Sequence, residues 1–387
     1  MRFFQFGCWN NLNEKKGKVV GRLKYVMAKL KQMAKPDFII VSGDNYYPGK
    51  EKVGEVKNKM VFFDKLIEGF DTLPSEIPIY MILGNHDLET QSKKKSNLFI
   101  KGDIDRYEDG KCEILRKEKC VVDNKRNIQY NSFTYKVHEN TLILMVDTSM
   151  YEFDKDVEKY LSCYNVFFSP EYYFTNVNQL RNYQLKQIID TITEVQKDKD
   201  IIHIIIVGHH PIYCYKTKEE ENEIDGVKRK IRVSRFESDI IYNFRSVLKR
   251  IYNKITNTTC KYYYLCSDLH LYQEGTIHLN VNHFRNTKPM EIQQYIVGNG
   301  GTELDLKSIH DYTRGSHTHT FEEGDTYECK KEVDNHGFLE CIVGSPELTF
   351  IPHFVEISGG KRKTIKNMKR KKGKSQKKKF TYYPYHA

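Results

Sequence analysis

The stretch Ile39-Ile40-Val41-Ser42-Gly43-Asp44-Asn45-Tyr46-Tyr47 decides the fold. Its three leading apolar residues read as the end of a buried strand, because a strand covered on both faces shows no alternation. Ser42-Gly43-Asp44-Asn45 then breaks the strand and opens a loop. Open α/β proteins place their ligands at the carboxyl ends of central strands. Asp44 would stand at such an end, with Asn45 and Tyr47 beside it as oxygen donors. Taken alone the stretch is a turn after a strand. Repetition of the pattern elsewhere gives it weight.

Working outward, residues 2–6 predict a first strand, followed by the loop Gly7-Cys8-Trp9-Asn10. Between the two strands, Val19, Leu23, Val26, Met27, Leu30 and Met33 recur at three- and four-residue steps, which predicts a helix over Val19–Met33. Strand, helix and strand make a βαβ unit with a parallel pair and a right-handed crossover. A second helix is predicted over Lys59–Phe70. The run Ile77–Leu83 then predicts a strand delivering Gly84-Asn85-His86-Asp87.

Residues 91–129 are polar, Lys-rich and aperiodic, and read as a surface insertion. A hairpin over Ser132–Val137 and Thr141–Asp147 would start a second sheet. The spacing of Leu180, Leu185, Ile188, Ile189, Ile192 and Val195 predicts another helix. Ile201–Val207 follows as a strand ending in Gly208-His209-His210-Pro211. His203 reads as packed, residues 216–236 as a solvated loop, and Phe244–Tyr252 as helix. Tyr262–Cys266 predicts a strand ending in Ser267-Asp268-Leu269-His270, with Cys266 and the tyrosine run as packing. Strands near Ile292–Val297 and Phe338–Val343 complete the sheets.

The 387 residues, 39% of them apolar, suffice for a large core, and no apolar run reaches membrane-spanning length. The first apolar stretch is short and lacks a small-residue cleavage site, so it reads as a core strand and not a secretory signal. Nine cysteines, an odd number without a paired framework, fit thiols better than disulfides. The expected setting is intracellular (cytoplasmic, nuclear or virion-associated) and not secreted. Residues 361–379 hold twelve of the Lys and Arg and no acid, so removing them takes the net charge from +11 to −1. The basicity is a tail on a balanced body.

The loops around Cys8, Asp44, Asn85–Asp87, His209 and Asp268–His270 all follow strands. Hard oxygen donors and imidazoles gathered at one sheet edge suit transition-metal ions. Two such ions about 3.5–4 Å apart suit phosphoester hydrolysis. Gly43-Asp44-Asn45-Tyr46-Tyr47, Gly84-Asn85-His86-Asp87, Gly208-His209-His210-Pro211 and the loop ending in His270, in that order, resemble the motifs of the calcineurin-like metallophosphoesterases. Tyr47 and Gly7-x-Trp9 are most similar to the purple acid phosphatase branch. The resemblance covers roughly residues 1–345 and is specific because the motifs stand in register.

The resemblance implies a four-layer αββα sandwich of two mixed sheets over residues 1–355; by its composition, 356–387 reads as a disordered basic tail. It implies two metal ions, Fe, Zn or Mn, and a metal-bound hydroxide attacking a phosphate ester. Asp44 would bridge the ions. Tyr47 and His270 would bind the first, and Asn85 and His209 the second. His86 would contact the phosphate and protonate the leaving oxygen, with Asp87 orienting it. His210 would face substrate or serve structure. Asn10 would serve a turn.

Two positions depart from the family. Cys8 stands where the family has aspartate, in Gly-Cys-Trp-Asn for Gly-Asp-Trp-Gly. Asp268 stands where it has the first histidine of Gly-His-x-His. Both residue types can still ligate metal: a thiolate would favour zinc, and a carboxylate would make its site harder.

The expected activity is phosphomonoester hydrolysis on a phosphorylated substrate. The alternatives are a phosphodiesterase or nuclease, or a catalytically weak protein of this type that binds nucleic acid or an anionic surface through residues 361–379. Phe380, Tyr382, Tyr383 and Tyr385 follow the basic run as stacking groups.

Overall fold

The carboxyl ends of two parallel strand sets meet at one edge of the molecule. The computed structural model describes residues 1–12, 14–15, 18–19, 21–45, 47, 68–88, 128–130, 132–158, 161–168, 172–224, 227–280, 289–308, 310–344 and 346–356. The helix expected over Lys59–Phe70 lies outside them up to residue 67. Residues 91–127 of the expected insertion and 357–387 of the expected tail also lie outside the described residues.

In chain order the first strands are β1 (Arg2–Phe6), β2 (Glu14–Lys15), β3 (Lys18–Val19), β4 (Phe38–Ser42), β5 (Ile79–Ile82) and β6 (Ile128–Tyr130). Then come β7 (Phe133–His138), β8 (Thr141–Val146), β9 (His203–Val207), β10 (Cys214–Ile224), β11 (Val227–Glu237) and β12 (Lys261–Cys266). The chain closes with β13 (Tyr272–Leu279), β14 (Met290–Val297), β15 (His317–Thr320), β16 (Thr326–Val333), β17 (Gly337–Val343) and β18 (Leu348–Phe354).

A six-stranded sheet runs β18-β17-β1-β4-β5-β6 and an eight-stranded sheet runs β15-β16-β13-β14-β12-β9-β8-β7. Both are mixed. β1, β4, β5 and β6 are parallel in the first, and β8, β9, β12 and β14 in the second.

Alternation along each strand divides the core into layers. Phe3, Phe38, Ile40, Tyr80 and Ile82 of the first sheet pack with Ile143, Met145, Ile205, Val207 and Leu265 of the second. Tyr263 and Tyr295 of the second sheet also meet Phe350 of the first, with centroids 5.1 and 4.7 Å apart. The opposite faces carry Phe4, Phe6, Ile39 and Val41, and Leu142, Leu144, Ile204 and Ile206. These pack with helices: Leu23, Val26, Met27 and Leu30 of the helix Leu23–Gln32, Leu180, Ile188 and Ile192 of Val177–Asp198, and Phe244, Val247, Leu248 and Ile251 of Ile241–Lys254. The sandwich expected from the sequence is the architecture found. Among the described residues no helix is long and apolar enough to cross a membrane.

The structure corrects three expectations. The first helix begins at Leu23, not Val19, because Val19 belongs to the small β2–β3 hairpin. The Arg22 N–H donates to Gly301 O (2.7 Å) at the helix start. Residues 216–236 are no solvated loop: β10 and β11 form a two-stranded antiparallel ribbon paired from Cys214–Glu237 to Ile224–Val227. Charges on both faces hide its period, and its cross-strand pairs, such as Lys218–Glu237 at 3.0 Å, are exposed and worth little each. Finally β13, β15, β16 and β18 were not foreseen. His203 is packed as expected, with Nε2 2.8 Å from Pro346 O.

Candidate metal centre

The loops after β1, β4, β5, β9 and β12 bring Cys8, Asp44, Tyr47, Asn85, His209, Asp268 and His270 together. The sheets are stitched where they meet. Gly7 N donates to Val297 O (3.1 Å), Gly300 N to Gly7 O (3.1 Å) and Thr302 N to Cys8 O (3.0 Å). Gln5 Nε2 donates to Ser42 Oγ (2.6 Å) and to Cys266 O (3.2 Å).

Three of these strand ends turn through left-handed backbone. Cys8, Asp44 and Asp268 have φ of 50°, 53° and 51°. Outside glycine that region is costly, and such residues gather at functional sites. Here the turn swings each side chain back across the strand end. A Cβ at Gly43 would strike His209, and one at Gly84 would strike Asp44. Those positions need glycine so the loops can close on the ligands.

Asp44 is fully buried, and its two oxygens face different groups. Oδ2 accepts from Tyr47 OH (2.6 Å) and lies 3.6 Å from Cys8 Sγ. Tyr47 OH is 3.0 Å from His270 Nε2. Oδ1 lies 3.3 Å from His209 Nε2 and accepts the His86 backbone N–H at 3.0 Å. His209 Nε2 is also 3.2 Å from Asn85 Oδ1 and 3.8 Å from Asp268 Oδ1.

Both candidate histidines, His209 and His270, are oriented through Nδ1. His209 Nδ1 is 2.8 Å from Ser42 O, and His270 Nδ1 is 3.1 Å from Glu303 O. A carbonyl accepts only, so each Nδ1 carries the hydrogen and each Nε2 turns a lone pair inward. His209 Nε2, Asn85 Oδ1 and the Asp44 and Asp268 carboxylates then face one another as acceptors. On the other side His270 Nε2 faces Tyr47, whose single hydrogen is directed to Asp44. Acceptors crowded without protons between them suit a cation. Donor atoms of Cys8, Asp44 and His270, and those of His209, His210 and Asp268, form two sets, each compact enough to hold an ion.

The electrostatics agree. Burial opposes ionisation of Asp44, but His209 and His86 outweigh it and hold the carboxyl well below its usual range. Burial also opposes charge on Asp268, and His210 and His209 pull that carboxyl down. Burial lowers His209 against the pull of Asp44 and Asp268, toward the neutral form in which an imidazole can take up a metal. Burial, with Asp44 and Asp268 adding, pushes the Cys8 thiol far up. Metal binding to Cys8 therefore displaces a proton.

Asp87 ties two loops. Oδ1 accepts Asn45 N (2.9 Å), and Oδ2 accepts Asn45 Nδ2 (2.9 Å) and Gly84 N (2.8 Å). Its hold on His86 thus runs through the loop, and among the described residues its carboxylate makes no hydrogen bond to that ring. Replacing Asp87 by alanine leaves three buried donors without their acceptor. Urea denaturation should show a loss of about 2–4 kcal/mol; an unchanged midpoint would remove the clasp from the account.

His86 has its ring 4.8 Å from that of Tyr47. His210 is buried, with Nε2 3.2 Å from Glu152 Oε1 and Nδ1 3.2 Å from Thr148 Oγ1. Asn10 is buried too, and its carbonyl accepts Tyr47 N (3.1 Å).

Sequence reasoning missed Thr148, Glu152 and Asp305. Thr148 Oγ1 accepts the N–H of His209 (2.9 Å) and of His210 (3.0 Å), and Asp305 Oδ2 accepts His270 N (2.8 Å). Only the pairing shows why they belong: β8 and β14 are parallel members of their sheet, so the polar runs after Val146 and Val297 lie at the same edge.

The family model for calcineurin-like phosphoesterase matches residues 1–241. Among solved structures, GAP50, the anchor in the inner membrane complex of Plasmodium, is 14% identical, with 93% of this chain and 90% of that chain covered and a TM-score of 0.45. PhoD is 11% identical, with 91% and 68% covered and a TM-score of 0.47. Likenesses this distant carry no argument about function. No curated protein sequence matches the chain. The family model spans well over half of the sequence, and two compact groups of metal-capable donors stand at the strand ends: the chain belongs to the calcineurin-like phosphoesterases.

Proposed function

We propose that this protein is a phosphomonoester hydrolase with a dinuclear metal centre. The observation that carries the reading is the division of labour at Asp44, whose Oδ2 faces Tyr47 and Cys8 while Oδ1 faces His209. Cys8, Tyr47 and His270 would hold one ion, Asn85, His209 and Asp268 the other, and Asp44 both. Bound there, the ions supply charge neutralisation for the phosphate oxygens and a lowered pKa for water. Tyr47 beside Asp44 supports the purple acid phosphatase likeness, and with it monoesters over diesters.

The chain's own groups do the rest. Asp44, Asp268 and Tyr47 fix the ions' places. His86, outside both donor sets, meets the phosphoryl group and gives a proton to the leaving oxygen. Asp87 keeps the His86 loop closed against the Asp44 loop. Cys8 favours zinc in its half of the centre.

The test is hydrolysis of p-nitrophenyl phosphate by zinc-reconstituted protein. Turnover should vanish on chelation and exceed that on bis(p-nitrophenyl) phosphate. Faster diester cleavage would make the protein a diesterase. A metal-loaded protein inert to both would be a binding protein. Cobalt loading should give a thiolate-to-cobalt charge-transfer band that Cys8→Ser removes; a band surviving that change takes Cys8 out of the ligand set.

A further inference from the structure

The ribbon that the sequence concealed carries a cation beside the loop that follows β14. Lys216 is the third residue of β10, and alternation places it on the face shared with Cys214, opposite Tyr215 and Thr217. That opposite face is docked. Tyr215 N donates to Gln273 Oε1 (2.9 Å), the Tyr215 ring packs on Phe236 and His317, and Thr217 bridges Leu306. The bridge sets Lys216 beside the loop whose Asp305 holds the His270 N–H. The Lys216 side chain is partly buried. Burial works against its charge, and the carboxylates of Asp268 foremost, then Asp305 and Asp239, counter it. The Cys214 thiol on the same face also feels both Lys216 and Asp268. Yet among the described residues no carboxylate comes within ion-pair distance of the Lys216 ammonium.

A partly desolvated ammonium without a contact partner is an incomplete site. In the reading above, Asp268 is committed to an ion, which cancels the charge that now balances Lys216. The loaded centre then holds a cation at its rim needing an anion, and the anion that arrives is the phosphoryl group. We propose that Lys216 is a substrate-binding residue whose ammonium meets the second negative charge of a phosphate monoester dianion, a charge that a diester lacks. This rests on the metallohydrolase reading and sharpens its substrate class.

The experiment measures inorganic phosphate binding to metal-loaded protein by calorimetry, beside kinetics on p-nitrophenyl phosphate, for wild type, Lys216→Met, Lys216→Arg and Lys218→Met. One lost charge-assisted hydrogen bond should weaken phosphate binding and raise KM about tenfold in Lys216→Met, with the loss in KM and not in kcat. Lys216→Arg should recover most of it, and the exposed Lys218→Met should match wild type. The KM for bis(p-nitrophenyl) phosphate should not move. Unchanged phosphate affinity in a metal-loaded Lys216→Met protein overturns the Lys216 assignment and leaves the centre standing. Wild type that takes up no metal overturns the centre, and Lys216 with it.

Discussion

Alanine at Asp44 should empty both halves of the centre in one step. Each oxygen of this carboxylate faces a different group of donors, Oδ2 toward Tyr47 and Cys8 and Oδ1 toward His209. Asp44 also receives the Tyr47 hydroxyl and the His86 N–H, so the loops lose their common acceptor. Elemental analysis should find metal at background after zinc reconstitution. Turnover on p-nitrophenyl phosphate should fall by about 10³ or more, roughly 4 kcal/mol of transition-state stabilisation. Loss of Asp268, which faces the His209 side only, should remove less metal. An Asp44→Ala protein that keeps its metal and its rate would end the dinuclear reading.

Asparagine at His86 should do the opposite: keep the metal and lose the rate. The His86 ring belongs to neither donor set, and only its backbone N–H touches Asp44. A positioned proton donor contributes about 10²–10⁴ in rate, so kcat should drop within that range at unchanged metal content. The loss should be larger for an alkyl phosphate, whose leaving oxygen needs the proton, than for p-nitrophenyl phosphate. Equal losses for both would assign His86 to phosphate binding instead of proton transfer.

The strand ends that bring the candidate residues together were more legible in the sequence than the later strands and the ribbon, for a physical reason. β4, β5 and β9 are covered on both faces, so their apolar runs are continuous and end abruptly at the polar loops that carry the candidate ligands. Those boundaries are legible because burial and chemistry change at the same residue. β13 carries Gln273, Gly275 and Thr276 among its buried positions, and β15 reads His-Thr-His-Thr, so neither shows an apolar run or a clean alternation. The ribbon was hidden by charge on both of its faces, and Lys216 with it. Thr148 and Asp305 act through backbone N–H groups, a role that no side-chain motif announces. The left-handed turns at Cys8 and Asp268 were equally silent, since neither residue type requires them.

β1 lies between β4 and β17. Its first neighbour is made about 35 residues later, but its second must wait until Gly337–Val343 has been synthesised. The ribosome therefore releases a chain whose central strand has one edge open for most of its translation. Pairings this distant in sequence make folding slow, and open edges invite contact with other chains meanwhile. The same order governs truncation. A fragment ending at residue 241, where the family match stops, would lack Asp268, His270 and the strand that seals β1. For this architecture, ligand assembly and closure of the first sheet are both late events in the life of the chain.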